Sequence, residues 1–136
     1  MVNYWLEKGL WVFRFDAICN IKKRLEYGTF QPDGEDGLRY IGDWILHQPG
    51  IGDFLNELNE KTFRVHNSMT VAEADVPEEL LEEYIGEKGF FSMVFDFSYT
   101  DIDVPDTGEW FRPRRFTVSE LRNNIFKRQK TVQEKG

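Results

Sequence analysis

The 136-residue sequence predicts an α/β fold and, within that class, a slice of a larger barrel of parallel strands. Three observations carry the prediction. Apolar runs of strand length alternate with segments of helical periodicity, the pattern of parallel strands joined by right-handed crossovers. About three strands can be found, and three strands with both outer edges unpaired make a poor free-standing sheet, whereas a closed barrel of this type takes eight strands in about 250 residues. Two acids, Asp16 and Glu73, come directly after successive strands, at the carboxyl ends where such barrels place reactive groups.

The elements follow in order. Val2, Trp5 and Leu6 stand at helical spacing and Gly9 follows Lys8, so residues 2–8 read as the tail of a helix. Residues 11–15 form an apolar run interrupted by Arg14 and closed by Asp16, as expected for a buried parallel strand ending in a polar site. Residues 20–49 hold Gly28, Pro32, Gly34, Gly37 and Pro49 among charges and read as a long loop excursion, and such loops in a compact domain are usually functional. Ile51, Phe54, Leu55 and Leu58 follow the i, i+3, i+4, i+7 pattern of one helix face and place a helix over 51–64. Residues 68–71 make a short strand that delivers Glu73 just beyond its end. Asp75 with Glu78 resembles a capping box for a helix over 77–85, which Gly86 ends. Residues 91–97 form the third apolar strand, with Asp96 embedded in it. After a loop, Thr117 with Glu120 makes a second capping box for a final helix carrying Val118, Leu121 and Ile125. The polar tail, 128–136, is expected to fray.

Composition narrows the function. A hydrophobic fraction of 40% suffices to bury a core. The longest apolar stretches, 9–13 and 90–94, fall far short of the roughly 18 residues of a membrane span, and the N-terminus lacks a secretory layout, so a cytoplasmic protein with no membrane partner is expected. Cys19 is the single cysteine, which leaves no internal disulfide and no cysteine-based zinc site, only a reduced, packed thiol. A net charge of -7 argues against nucleic acid, whose binding rests on clustered Lys and Arg. Arg112, Arg114 and Arg115 do cluster, but Asp103, Asp106, Glu109 and Glu120 offset them, and the group reads as solvated loop charge. Aromatic content of 15% supplies sugar-stacking platforms or core, and core is the commoner use.

The chemistry centres on the two acids. Carboxyl groups about 5 Å apart are what a retaining glycosidase uses, one as nucleophile and the other as acid and then base. Arg14, two residues before Asp16, points to the same face of its strand and can hold that carboxylate ionised. On spacing alone, an ordinary salt bridge at a strand end is the commoner arrangement.

The residues themselves carry a resemblance. Phe13-Arg14-Phe15-Asp16-Ala17-Ile18, preceded by Lys8-Gly9-Leu10, resembles the fourth-strand motif of glycoside hydrolase family 13, the α-amylase and α-glucosidase family, whose usual form is G-F-R-x-D. Met69-Thr70-Val71-Ala72-Glu73 resembles the family's fifth-strand motif, T-V-G-E. Residues 50–63 are similar to the helix before that strand, and Phe91-Ser92-Met93-Val94-Phe95-Asp96-Phe97 resembles the sixth. The resemblance covers nearly the whole chain. Within the family it is strongest to the branch of oligo-1,6-glucosidases, glucan 1,6-α-glucosidases and trehalose-6-phosphate hydrolases, and residues 17–23 support the dextran-type members.

This resemblance implies a partial (β/α)8 TIM barrel, with strands corresponding to the fourth to sixth and residues 1–136 forming one fragment of a catalytic barrel. It implies that Asp16 is the nucleophile, Arg14 its binding partner and Glu73 the general acid and base, acting on an α-linked glucose oligosaccharide with no cofactor and no metal. The family's third acid, in an Asn-His-Asp motif, and its earlier Asn-His motif have no counterpart in this sequence. His47 and His66 match neither and read as structural or solvated. Little or no hydrolysis is therefore expected from these residues by themselves. The alternative is a non-catalytic module that self-associates through its open strand edges or complements another barrel half. Two departures stand out. Trp11 and Val12 replace the family's Asp-Gly and predict crowding in a tight part of the barrel, and Ala72 replaces the glycine before the acid/base, costly if that position needs positive φ.

Overall fold

The computed structural model describes residues 1–26, 30–105 and 112–136. They form two compact units, Met1–Ala74 and Asp75–Gly136.

In the first unit, helix α1 (Val2–Glu7) ends where Gly9 takes a φ of 88° and the Leu10 N–H returns to the Trp5 carbonyl at 3.0 Å. Strand β1 (Val12–Phe15) then pairs in parallel with β2 (Met69–Ala72), Val12 opposite Met69 and Phe15 opposite Ala72. The excursion between them holds a 3-10 turn (Ile18–Asn20) and a short helix, α2 (Gly42–Ile45). Cys19 is buried on that turn, with its thiol against the Asn20 side chain. The helix expected over 51–64 is present but not uniform: α3 (Ile51–Leu58) passes through a wider π turn (Asn59–Phe63) into α4 (Arg64–His66). Left-handed Asn67 then reverses the chain into β2.

The two strands divide into faces by simple alternation. Phe13, Phe15, Thr70 and Ala72 share the face that the helices cover, where Phe63 meets Phe15 edge-on at 5.2 Å and Phe13 at 6.2 Å. Val12, Arg14, Met69 and Val71 share the other face, which is more open. Val12 is 59% exposed and neighbouring Trp11 is 62% exposed, so the crowding predicted for these two residues does not arise within the described residues. Ala72 is fully buried and is not among the residues with positive φ, so its methyl group is accommodated without backbone strain.

Past the strands the ladder continues irregularly. The Glu73 N–H donates to the Phe15 carbonyl at 2.8 Å, and the Glu73 carbonyl accepts from the Ile18 N–H at 3.1 Å. Two residues, Asp16 and Ala17, thus stand opposite one, as in a β-bulge. Ala17 absorbs the extra length in the left-handed conformation, φ 43° and ψ 40°.

In the second unit, a 3-10 turn (Glu78–Leu80) leads into helix α5 (Leu81–Ile85). The N-cap position of this turn falls on Pro77, which has no side-chain donor or acceptor, and not on Asp75, where the spacing with Glu78 places it. Tyr84 anchors this core, with Phe90 edge-on at 5.4 Å and Phe91 beside it. Gly89 allows the return of the chain, since a Cβ there would lie 2.7 Å from the Ile85 nitrogen and the Tyr84 carbonyl. The third strand is shorter than its apolar run, with only Met93–Val94 extended as β3. Asp96 instead turns the chain, accepting from the Ser98 N–H at 2.9 Å.

Helix α6 (Val118–Lys135) begins at the expected box: the Thr117 hydroxyl accepts from the Glu120 N–H while the Glu120 carboxylate accepts from the Thr117 N–H. The tail expected to fray is helical to Lys135 instead. Arg128 fixes it, with its guanidinium donating to the Val76 carbonyl at 3.0 Å and lying 3.7 Å from Asp96, and Thr131 is buried on the same side. Arg112, Arg114 and Arg115 are exposed and Arg114 pairs with Glu120 at 3.2 Å, whereas Asp106 and Glu109 lie outside the described residues. Among the described residues no helix is long and apolar enough to cross a membrane.

Two stability predictions follow from the local geometry. Thr117→Ala removes the box and should lower the stability of the second unit by about 1 kcal/mol in urea unfolding followed by circular dichroism. The hydrogen bonds from Thr117 and Arg114 hold the Glu120 carboxyl below its usual range, so the contribution of this exposed group is present at neutral pH and is lost as pH falls through its lowered pKa. Ala17→Gly relieves a left-handed alanine and, after the added chain entropy of glycine, should stabilise the first unit by about 1 kcal/mol or less; a loss of stability would show that the bulge is not populated.

Candidate active site

The three residues singled out by the sequence come together at the carboxyl end of the β1–β2 ladder. Arg14 sits on the open face of β1, opposite Val71 on β2. Asp16 follows β1 and Glu73 follows β2, and parallel pairing puts both at the same end. The bulge at Asp16 and Ala17 keeps the Asp16 side chain on the side of Arg14 instead of letting the chain run on as regular strand.

A single nitrogen joins them. Arg14 Nη2 lies 3.0 Å from Asp16 Oδ1 and also pairs with Glu73 Oε2. Two oxygens held by one nitrogen can be no further apart than two hydrogen-bond lengths, about 6 Å. That is compatible with the spacing of about 5–5.5 Å between the carboxyls of a retaining glycosidase. Burial separates the acids. The Asp16 side chain is 77% exposed, while that of Glu73 is 29% exposed and its Oε2 is shielded from solvent. The arrangement therefore presents one accessible carboxylate and one sheltered carboxyl, bridged by a cation that touches both.

The Arg14 contact with Glu73 is the part that strand-by-strand reading misses. Its signal lay in the pairing: once residues 11–15 and 68–71 are taken as parallel neighbours, Glu73 falls beside Asp16 and within reach of Arg14. His47 and His66 are both partly exposed and lie on the excursion and on α4. Among the described residues no group of three or more His, Cys, Asp or Glu is placed to hold a metal ion.

Comparison with known proteins places the whole segment in a family. The sequence profile of the α-amylase catalytic domain matches residues 1–136. A probable oligo-1,6-glucosidase of Bacillus subtilis is 42% identical over 79% of this chain and 20% of its own length, and the oligo-1,6-glucosidase of Parageobacillus thermoglucosidasius is 32% identical over 100% of this chain and 24% of its own. This chain thus spans between a fifth and a quarter of the length of these relatives. The crystal structure of Bacillus licheniformis trehalose-6-phosphate hydrolase superposes with a TM-score of 0.77 at 28% identity, covering 98% of this chain and 23% of that one. The fold is accordingly a partial (β/α)8 barrel with its flanking helices. With its whole length matched, the chain belongs to the α-amylase catalytic-domain family, glycoside hydrolase family 13.

Proposed function

We propose that this chain supplies two catalytic carboxylates of a retaining α-glucosidase acting on short α-glucans, with Asp16 as nucleophile, Glu73 as general acid and base, and Arg14 as the residue that orients both. The observation that supports the reading most is the single Arg14 nitrogen shared by the two carboxylates. The relatives' names point the same way, being oligo-1,6-glucosidases and, at 31% identity over 81% of this chain, a trehalose-6-phosphate hydrolase.

The chemistry assigns the acids by their surroundings. Asp16, the exposed carboxylate, attacks the anomeric carbon and forms a glucosyl ester, while Glu73 gives a proton to the departing glycosidic oxygen. In the second half of the cycle Glu73 takes a proton from the water that hydrolyses the ester. Arg14 stays with Asp16 throughout, donating to the carboxylate oxygen that does not attack. The reaction consumes only the glycoside and water. The 136 residues by themselves should show no hydrolysis, because the oxocarbenium-like transition state needs stabilising groups from the rest of a barrel.

The test is a transplant. Residues 1–136 replace the matching segment of the Parageobacillus thermoglucosidasius enzyme, and hydrolysis of a chromogenic α-glucoside is followed. Glu73→Gln should lower kcat by about 10²–10⁴, the usual worth of a general acid and base. Arg14→Gln should cost about 10²–10³, comparable to loss of one charge-stabilising donor. Asp16→Asn should leave no glucosyl-enzyme detectable by mass spectrometry. A folded chimera whose Asp16→Asn and Glu73→Gln variants match the parent would remove the assignment.

A further inference from the structure

The excursion after β1 carries two exposed Asp-Gly pairs, Asp33-Gly34 and Asp36-Gly37. Such a pair has a chemical weakness. The glycine amide nitrogen, unhindered by a side chain, can attack the carboxyl group of the aspartate before it and close a five-membered succinimide ring.

The structure holds the two pairs differently. Asp33 is tied across the loop: its Oδ2 accepts from the Tyr40 N–H at 2.6 Å and lies 3.9 Å from the Arg39 guanidinium, while its own N–H donates to the Leu38 carbonyl at 3.0 Å. Its carboxylate is thus engaged by groups six and seven residues further on. The space beside Gly34 is also taken, since a Cβ there would lie 3.3 Å from Asp36 Oδ1.

Asp36 is placed for ring closure. Its Oδ1 accepts from the Leu38 N–H at 2.9 Å, an Asx turn that keeps the carboxyl group directed along the chain that follows it. The same N–H is a donor aimed at the oxygen on which negative charge develops when the carboxyl carbon is attacked. Gly37 has a φ of 75° and open space where a Cβ would stand. Its N–H meets the Gly34 carbonyl at 3.5 Å, longer than an ordinary bond of this kind, so the attacking nitrogen is weakly held.

We propose that Asp36-Gly37 is a site of spontaneous isomerisation to isoaspartate and that Asp33-Gly34 is protected by its contacts. The Gly37 nitrogen bonds to Asp36 Cγ, and the carboxyl hydroxyl leaves with the amide proton as water. Water then adds to one of the two ring carbonyls. Opening at Cγ restores aspartate. Opening at the former main-chain carbonyl breaks its bond to nitrogen and leaves the chain running through Cβ and Cγ, one atom longer. No oxidant, reductant or cofactor enters, and the mass of the product equals that of the parent. In the product the Leu38 N–H loses its Asp36 side-chain acceptor, and the turn that sets Leu38 opposite Asp33 loses its support.

The inference is independent of the glycosidase reading, and its test requires no activity. The 136-residue chain is incubated at neutral pH and physiological temperature in heavy-oxygen water, then digested, and electron-transfer fragmentation of the peptides locates isoaspartate. The product should accumulate at Asp36 severalfold faster than at Asp33 and carry heavy oxygen from the water. In guanidinium chloride the two positions should convert at similar rates, because the contacts that distinguish them are gone. Asp36→Glu, whose ring would need six members, should abolish the product at that position, and Gly37→Ala should slow it severalfold. Equal conversion of the two pairs in the folded chain would overturn the proposal, as would faster conversion at Asp33, or none at Asp36 over a period in which the denatured chain converts.

Discussion

Two backbone hydrogen bonds bracket Glu73, one from its N–H to the Phe15 carbonyl and one from the Ile18 N–H to its carbonyl. Everything at the carboxyl end of the ladder depends on them. They fix the point at which regular pairing of β1 and β2 gives way to the bulge, and so they set Asp16 and Glu73 side by side. A slip of one residue would carry Arg14 to the helix-covered face and place Phe13 or Phe15 in the open, because side chains alternate with a period of two. The register is therefore held from both sides. The phenylalanines resist exposure, and the guanidinium resists burial among Phe63 and its neighbours.

The covered face is what resists most strongly. Phe13 and Phe15 rest on Phe63, and the π turn is what brings Phe63 there, since a wider turn changes the angular position of every residue that follows it on the helix. Leu55 and Ile51, one turn and more earlier, are buried as well. The helix and the site are thus linked through the strand between them: packing on one side of β1 determines where Arg14 stands on the other. The open face, with Val12, Arg14, Met69 and Val71, is the face that a closed (β/α)8 barrel turns toward its interior. Its mixture of apolar side chains near the strand starts and charge at the strand ends is the layering such an interior requires.

What was legible in the sequence followed from local rules. The strands around Arg14 and Met69, the helix over 51–64 and the Thr117 box rest on alternation, on the 3.6-residue period and on capping chemistry, all of which act within a few residues. The departures have long-range or competing causes. The apolar run 91–97 reads as one strand, yet Asp96 takes the Ser98 N–H for its own turn and leaves only Met93–Val94 extended. The tail from Arg128 is polar in composition, and its order comes from a guanidinium reaching Val76, fifty-two residues earlier, which no local window reveals. Asp75 and Glu78 have the spacing of a capping box, but Pro77 takes the N-cap position. At the candidate site, the placement of Asp16 and Glu73 after successive strands and of Arg14 beside Asp16 was readable, whereas the second contact of Arg14 and the left-handed Ala17 required the pairing of two strands.

Two kinds of cation serve the first unit, and their chemistry is not interchangeable. Arg14 has acids on two elements, and a delocalised, planar guanidinium can meet carboxylates that approach from different directions while remaining charged at any relevant pH. A lysine in that place would be a single point charge on a flexible stem, able to approach one carboxylate closely only by leaving the other. Lys22 and Lys23 present a different case: Lys23 donates to the Asn20 carbonyl, and Lys22 stands over the Phe54 ring beside Asp53 at the start of α3. A flexible ammonium suits such scattered partners, whereas arginine stands where fixed geometry between two carboxylates is needed.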